Sequence, residues 1–260
     1  MKILVVTVAF GSYHSFIPYF IFTTLLKNPH YYVKVITDKK SVELLAALQI
    51  IRVQLSSNFE LCVEPKINFK EEVVPHYFYG KYYKIIMDDK LFEGFDYVYF
   101  ADVDHIFLSA DKNRVEAGIS IIEKLDTTFY NNLVSIKGVK ERLCNASHLI
   151  NVKKYVKKYG QTLKYYRENI DAVKKLGLMD EKFLYHIMDK DEIKKIEDSG
   201  MKVPYMGFNL GILRVSNREE HAKFLLKKND AIEIIKHKIF MDIYQLINNK
   251  NIAKMVNLLL

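Results

Sequence analysis

Apolar positions in the first fifty-odd residues fall into short blocks separated by longer, helix-spaced ones. Ile3 to Val8 is an unbroken apolar and β-branched run, the pattern of a strand buried on both faces of a parallel sheet. Phe10-Gly11-Ser12-Tyr13 reads as the turn at its carboxyl end. Residues 15–27 then carry Phe16, Tyr19, Phe20, Phe22, Leu25 and Leu26 at helical spacing, with Pro18 tolerated in the first turn. Tyr32 to Thr37 predicts a second strand, Ser41 to Leu48 a short helix with Ser41 as its N-cap, and Ile50 to Leu55 a third strand. Such a β-α-β-α-β order predicts a parallel sheet covered by helices.

Residues 56–75 are less regular and end at Val74-Pro75. Tyr77 to Phe92 reads as a helix carrying Tyr82, Tyr83, Ile86 and Leu91, and it feeds into the aromatic run Tyr97-Val98-Tyr99-Phe100. Beyond Asp104 the pattern loosens. Ile119 to Glu123 reads equally as strand or short helix, and Leu149 to Val152 as a strand. Lys153 to Leu176 reads as a long Lys/Tyr-rich helix. Leu178-Met179 leads into a helix opening at Asp180 and running through Met188. Glu192 to Ser199 is helical and stopped by Gly200, and Val203 to Leu213 is irregular or extended. Arg218 to Leu226 and Asp230 to Leu260 read as helices. The expected class is α/β: a mixed, mainly parallel sheet flanked by helices, with a helical C-terminal part. The expected division is a domain over 1–215 and a helical extension over 216–260.

Composition narrows the function classes. The 260 residues are 50% hydrophobic and 27% charged, a globular balance that is neither disordered nor membrane-embedded. The net charge is +8, with denser basic runs at Lys137 to Arg142, Lys153 to Lys158 and Lys223 to Lys228. A positive surface fits a nucleic acid, an anionic membrane face or a phosphorylated small molecule. No nucleic-acid motif appears, so no nucleic-acid partner is expected. Cys62 and Cys144 form no C-x-x-C pair and predict a reducing compartment. No apolar stretch is long enough to span a bilayer, and the N-terminus reads as a core strand, so a cytoplasmic protein is expected.

The chemistry concentrates where the aromatic run ends in Ala101-Asp102-Val103-Asp104. In an extended chain, residues i and i+2 point the same way, so Asp102 and Asp104 would stand side by side at the end of a buried strand. Two such anions repel and are costly to desolvate, and a divalent cation relieves both costs. Hard oxygen ligands suit Mg²⁺ or Mn²⁺. Carboxyl ends of strands are also where open α/β sheets place their ligands.

Several segments together resemble GT-A (Rossmann-like) glycosyltransferases, the bacterial capsule and lipopolysaccharide type with a glycosyltransferase family 8 style of layout. They are the first strand with its Phe10–Tyr13 turn, Tyr82-Tyr83-Lys84-Ile85-Ile86, and Phe95 through Asp104. Asn145 through Tyr155, Asp180-Glu181-Lys182-Phe183-Leu184 and Gly207-Phe208-Asn209-Leu210-Gly211 complete the series. The resemblance spans roughly 1–215, and the order of the segments carries it. It implies transfer of a sugar from a nucleotide-diphosphate donor to a glycan or lipid-linked acceptor in surface polysaccharide synthesis, with Mn²⁺ or Mg²⁺ as cofactor. It implies donor contacts from Val8, Ala9, Phe10, Tyr13, Lys81, Lys84, Asp102 and Val103, and metal contacts from Asp102, Asp104 and Asn209. Asn209 stands where the family often has a histidine. Asp180 and Glu181 would supply the catalytic carboxylate, although capping of their own helix is the competing reading. His148 and Asn145 would meet the acceptor, and His105 follows the acidic pair directly. A basic chain acting on lipid-linked acceptors is also expected to visit an anionic membrane face. Two alternatives stay open: a nucleotidyltransferase, which also uses an acidic pair and a metal, and a catalytically impaired nucleotide- or carbohydrate-binding protein.

Overall fold

The computed structural model describes residues 1–64, 76–135, 143–176, 179–203, 207–214, 218–228 and 230–260. In chain order the first elements are β1 (Ile3–Ala9), α1 (Ile17–Lys27), β2 (Tyr32–Thr37), α2 (Val42–Gln54), β3 (Phe59–Val63) and α3 (His76–Ile86). Then come β4 (Tyr97–Phe100), β5 (His105–Ile106), α4 (Arg114–Leu125), β6 (Phe129–Val134) and β7 (Leu143–Asn151). Helices α5 (Val152–Glu168), α6 (Ile170–Lys175), α7 (Asp180–Ile187) and α8 (Lys190–Asp198) precede the short β8 (Phe208–Asn209). The chain closes with α9 (Glu219–Lys228), α10 (Ala231–Lys236), α11 (Lys238–Leu246) and α12 (Lys250–Leu259). The protein is of the α/β class, with a mixed, mainly parallel sheet flanked by helices.

Its chain divides into two compact units. One holds β1, α3, β4, α4, β6, β7 and α5 to α8. Here β1 and β4 pair in parallel, Ile3 opposite Tyr97 through Val6 opposite Phe100. β7 runs antiparallel to β4 on one side and to β6 on the other. All four residues of β4 are buried, as a strand covered on both faces requires. β6 escaped the sequence reading because Asn131 and Asn132 interrupt its apolar run. The side chain of Asn131 replaces ladder contacts: its oxygen accepts from the Asn145 backbone N–H at 2.7 Å and its nitrogen donates to the Asn145 carbonyl at 2.6 Å. That stitching sits at the register shift between Asn131 and Leu133.

The other unit holds the turn after β1, then α1, β2, α2, β3, β5, β8 and α9 to α12. β2 and β3 pair in parallel, and β5 and β8 antiparallel. Tyr19 of α1 anchors the C-terminal helices by donating its hydroxyl to the Ile247 carbonyl at 3.1 Å, with its ring 5.3 Å from that of Phe240. Lys27 at the end of α1 pairs with Asp230, which also accepts from the Ser109 backbone N–H.

Ser41 caps α2 as expected, its hydroxyl accepting from the Leu44 N–H at 3.1 Å, an interaction typically worth about 1 kcal/mol. The expected third strand over Ile50–Leu55 is instead the second half of α2. Leu44, Ala47, Leu48 and Ile51 are its buried residues, at helical spacing, so the helical period runs straight through the supposed strand. The parallel partner of β2 comes later, at Phe59–Val63. α3 stops at Ile86, and a separate short 3-10 turn over Asp89–Phe92 follows, opened by the Asp88 carboxylate. Arg114–Leu125 is a full helix, and the long helix expected through Leu176 breaks at Asn169. Gly200 ends α8 with φ +62°. The basic run at 137–142, Val74-Pro75 and Leu178 lie outside the described residues.

Candidate active site

The turn after β1 is built around an acidic residue that the sequence reading passed over. Gly11 adopts φ +61°, a left-handed conformation that glycine takes without strain, and its N–H points at both oxygens of Asp38 at 3.3 and 3.2 Å. Asp38 directly follows β2, so an aspartate at the carboxyl end of a predicted strand was the available signal. Thr37 donates its hydroxyl to the Ala9 carbonyl at 2.9 Å, tying the end of β2 to this turn. Ala9 and Phe10 are buried, while Tyr13 is half-buried with its ring 5.9 Å from Phe16. Val8, the half-buried residue of β1, belongs to the other unit. Beside the turn, burial and then the positive charge of Lys39 hold the His14 imidazole below its ordinary pKa.

The acidic pair is presented differently from the expectation. β4 ends at Phe100, and Asp102 to Asp104 form a turn in which the His105 N–H donates to the Asp102 carbonyl at 3.2 Å. Strand alternation therefore does not align the two carboxylates. The turn leaves the Asp102 side chain 41% exposed and buries Asp104 to 8%. Val103 between them is buried.

β8 braces this turn. The Leu210 N–H donates to the Asp104 carbonyl at 2.8 Å, and Asn209 pairs with His105 across β5 and β8. The Asn209 amide is spoken for: its oxygen accepts from the Gly211 N–H at 2.6 Å, and its nitrogen faces His105 Nε2 at 3.1 Å. Because the Gly211 N–H must meet oxygen, the nitrogen end donates, and His105 Nε2 accepts. The same Nε2 lies 3.9 Å from Asp102 Oδ2.

The remaining candidates lie in the unit that holds β4. Asp180 opens α7, but its carboxylate does not cap the helix. Met179 occupies the N-cap position without a side-chain hydrogen bond, and Asp180 instead lies 3.3 Å from the Lys81 ammonium. Asp180 is 4% exposed there and Lys81 50%. Glu181, next along the helix, has its carboxyl pushed up to about 7, first by burial and then by a hydrogen bond to Asp180 and the charge on it. Tyr82 packs beneath, its ring 5.8 Å from Phe183 of α7. Lys84 is buried to 3% within α3, in contrast to the exposed Lys81. His148 lies in the middle of β7, stacked on Phe100 with centroids 4.2 Å apart. Asn145 turns its side-chain oxygen to the Ser147 N–H at 2.7 Å.

Comparison with known proteins adds little to this geometry. No protein-family model matches the chain, and no curated protein matches it. Solved structures give weak likenesses. A galactosyltransferase LgtC in complex with donor and acceptor sugar analogs matches at 14% identity and TM-score 0.40, over 64% of this chain and 65% of that one. The apo-form glycosyltransferase GlyE of Streptococcus pneumoniae matches at 13% identity and TM-score 0.44, over 99% of this chain and 63% of that one. S. aureus TarS in complex with UDP matches at 14% identity and TM-score 0.38, over 60% of this chain and 48% of that one. The chain thus spans less than two thirds of each of these proteins, and at such TM-scores the likeness decides neither fold nor activity.

Two sets of groups therefore stand ready for chemistry. One unit offers a carboxylate turn (Asp102, Asp104) together with the Gly11–Asp38 turn. The other offers a buried carboxyl pair, Asp180 and Glu181, with Lys81 beside it. A turn carrying two carboxylates suits Mg²⁺ or Mn²⁺, ions that use one or two protein carboxylates and fill the remaining positions with phosphate oxygens and water. Among the described residues no group of three or more His, Cys, Asp or Glu side chains is arranged to hold a metal ion by itself.

Proposed function

We propose that the chain is a glycosyltransferase of the hexosyl type, moving a sugar from a nucleotide-diphosphate donor to a glycan or lipid-linked acceptor in surface polysaccharide synthesis. The observation that carries this reading is the Asp102–Asp104 turn at the carboxyl end of β4, braced by β8 through Asp104 and His105. The glycosyltransferases compared above, with donor and acceptor analogs or UDP bound in two of them, agree with it without deciding it.

In this reading Asp102 and Asp104 would hold Mn²⁺ or Mg²⁺, which would supply charge neutralisation for a diphosphate leaving group. Asn209 would join them through its amide oxygen, which keeps a second lone pair beside the Gly211 N–H. The backbone of Ala9 and the rings of Phe10 and Tyr13 would wall the base, and Val103 fixes the shape of the turn from the core. Lys81 serves as the partner of Asp180, and Lys84 is too buried to meet a diphosphate without moving.

Asp180 is the member of the pair that meets the Lys81 ammonium. Glu181, titrating near neutrality, is the group suited to exchange a proton with an acceptor hydroxyl. His148, stacked in β7, and Asn145, bound to Ser147, shape the wall on which the acceptor would rest.

The engaged Asn209 amide favours a second reading, a binding protein that no longer turns over its donor. Donor hydrolysis and transfer, assayed with and without Mn²⁺, separate the readings. Metal-dependent release of sugar supports the transferase, release of pyrophosphate supports nucleotidyl transfer, and binding without either supports the binder.

A further inference from the structure

Helix α2 is apolar on both of its faces. Its inner face, Leu44, Ala47, Leu48 and Ile51, is buried within its unit. On a helical wheel of 3.6 residues per turn, the centre of the opposite face is Val42, Ala46, Gln49 and Val53, with Leu45 beside them. Val42 is 80% exposed, Val53 72% and Leu45 48%. Helices with one buried face ordinarily turn charge to water on the other. Here the charged residues Glu43 and Arg52 lie only at the margins of the stripe, and Glu43 is the single acidic one. Lys39 and Lys40, both exposed, flank the N-terminal end. Positive charge beside a helix N-terminus works against the helix dipole, so these lysines do not serve the helix itself.

An apolar stripe about three turns long with a basic margin is the arrangement that lies in a lipid interface, apolar side chains among the acyl boundary and ammonium groups at the headgroups. A second copy of the chain fits it less well. Two-fold pairing of the stripe sets Lys39 and Lys40 against their own copies in a parallel arrangement and toward the Arg52 end of the other copy in an antiparallel one, and like charges repel in both. We infer that the outer face of α2 is a docking surface for an anionic lipid bilayer. Lys39 also acts electrostatically on His14, so the docking surface begins beside the Gly11–Asp38 turn, in the same unit. The inference does not depend on the transferase reading, since it rests on the exposed face alone.

Flotation of the full chain with vesicles of phosphatidylcholine, with and without phosphatidylglycerol, tests it. Binding is expected to require the anionic lipid and to weaken as salt rises. The combined variant Val42→Ser, Leu45→Ser, Val53→Ser, exposed positions that leave the buried face intact, is expected to bind about tenfold more weakly with unchanged melting temperature. Lys39→Gln with Lys40→Gln is expected to cost at least about tenfold, since each basic residue at such a surface contributes about fivefold. Three results would each overturn the inference: equal binding to neutral and anionic vesicles, wild-type binding by the serine variant, or a concentration-dependent dimer that the serine variant abolishes.

Discussion

Lys81 and Asp180 form an ion pair of unequal members: a half-exposed ammonium 3.3 Å from a carboxylate that is 4% exposed. The pair sets Asp180 against the ammonium, while burial and then the neighbouring Asp180 push the Glu181 carboxyl up to about 7. Lys81 also draws the Glu181 titration downward, against burial and the Asp180 charge, which draw it up. Removing the ammonium in Lys81→Ala is therefore expected to move the Glu181 titration upward. The pH–activity profile should shift the same way, while a role for Lys81 in donor binding alone would raise KM and leave the profile where it was.

The raised carboxyl also makes stability depend on pH. The folded protein favours protonated Glu181, with a pKa of about 7 against the ordinary 4.5. A raised folded value means that this contribution is complete below about pH 4.5 and is lost as pH climbs through about 7. Glu181→Gln keeps the neutral form at every pH. It should melt like the wild type in mild acid and above it at about pH 8, with thermal denaturation across that range as the measurement. Parallel pH curves for the two proteins would place Glu181 in water.

Asp180→Asn separates charge from shape. Since Met179, not Asp180, occupies the N-cap, no capping loss is expected. The half-exposed Lys81 can return to water, so the stability change should stay near about 1 kcal/mol. If Asp180 sets the charge at the reacting centre, turnover should fall by about a hundredfold or more. Full activity in this variant would leave the pair a structural one.

Asp104→Asn tests the metal. Its backbone carbonyl, which holds Leu210, is untouched by the change, so the turn should persist. Mn²⁺-dependent binding of a nucleoside diphosphate, followed by calorimetry, should disappear, and adding a chelator to the wild type should give the same loss. Unchanged affinity in both experiments would remove the metal from the mechanism.

Legibility in the sequence followed the physics of each segment. β1 and β2 are legible to within a residue because their short β-branched and aromatic runs are bounded by turn-forming residues, Phe10-Gly11-Ser12 after the first and Asn28-Pro29 before the second. The end of α2 was misread because Ile50-Ile51-Arg52-Val53 satisfies strand propensity locally, while its register with Leu44, Ala47 and Leu48 is set by tertiary packing. β6 was hidden because its central asparagine does backbone work that no residue pattern reveals. At the site, residue types were legible and their partners were not. Asp102 and Asp104 are legible from spacing, but the turn that presents them closes locally against the strand pattern, and the Asn209–His105 contact and the Asp38 carboxylate under Gly11 join segments distant in sequence.

The brace formed by β5 and β8 should be sensitive at one glycine and tolerant at another. Gly207 has φ +82°, where a side chain is strained, and a Cβ there would stand 3.0 Å from His105 Cβ and 3.3 Å from the Ile106 carbonyl. Neither neighbour is the free end of a side chain, so the strand pair itself must shift. Gly207→Ala is expected to cost more than about 1 kcal/mol. It should also weaken nucleoside diphosphate binding, because the displaced strand carries Asn209 and adjoins Asp104. Gly211 gives the contrast: a Cβ there meets Asn209 Oδ1 at 2.6 Å, the end of a side chain that can rotate away, and no positive φ opposes it. Gly211→Ala should therefore keep a melting temperature near that of the wild type while breaking the amide's hold on His105. Equal melting temperatures and equal nucleotide affinities for the two alanine variants would show that the brace does not govern the acidic turn.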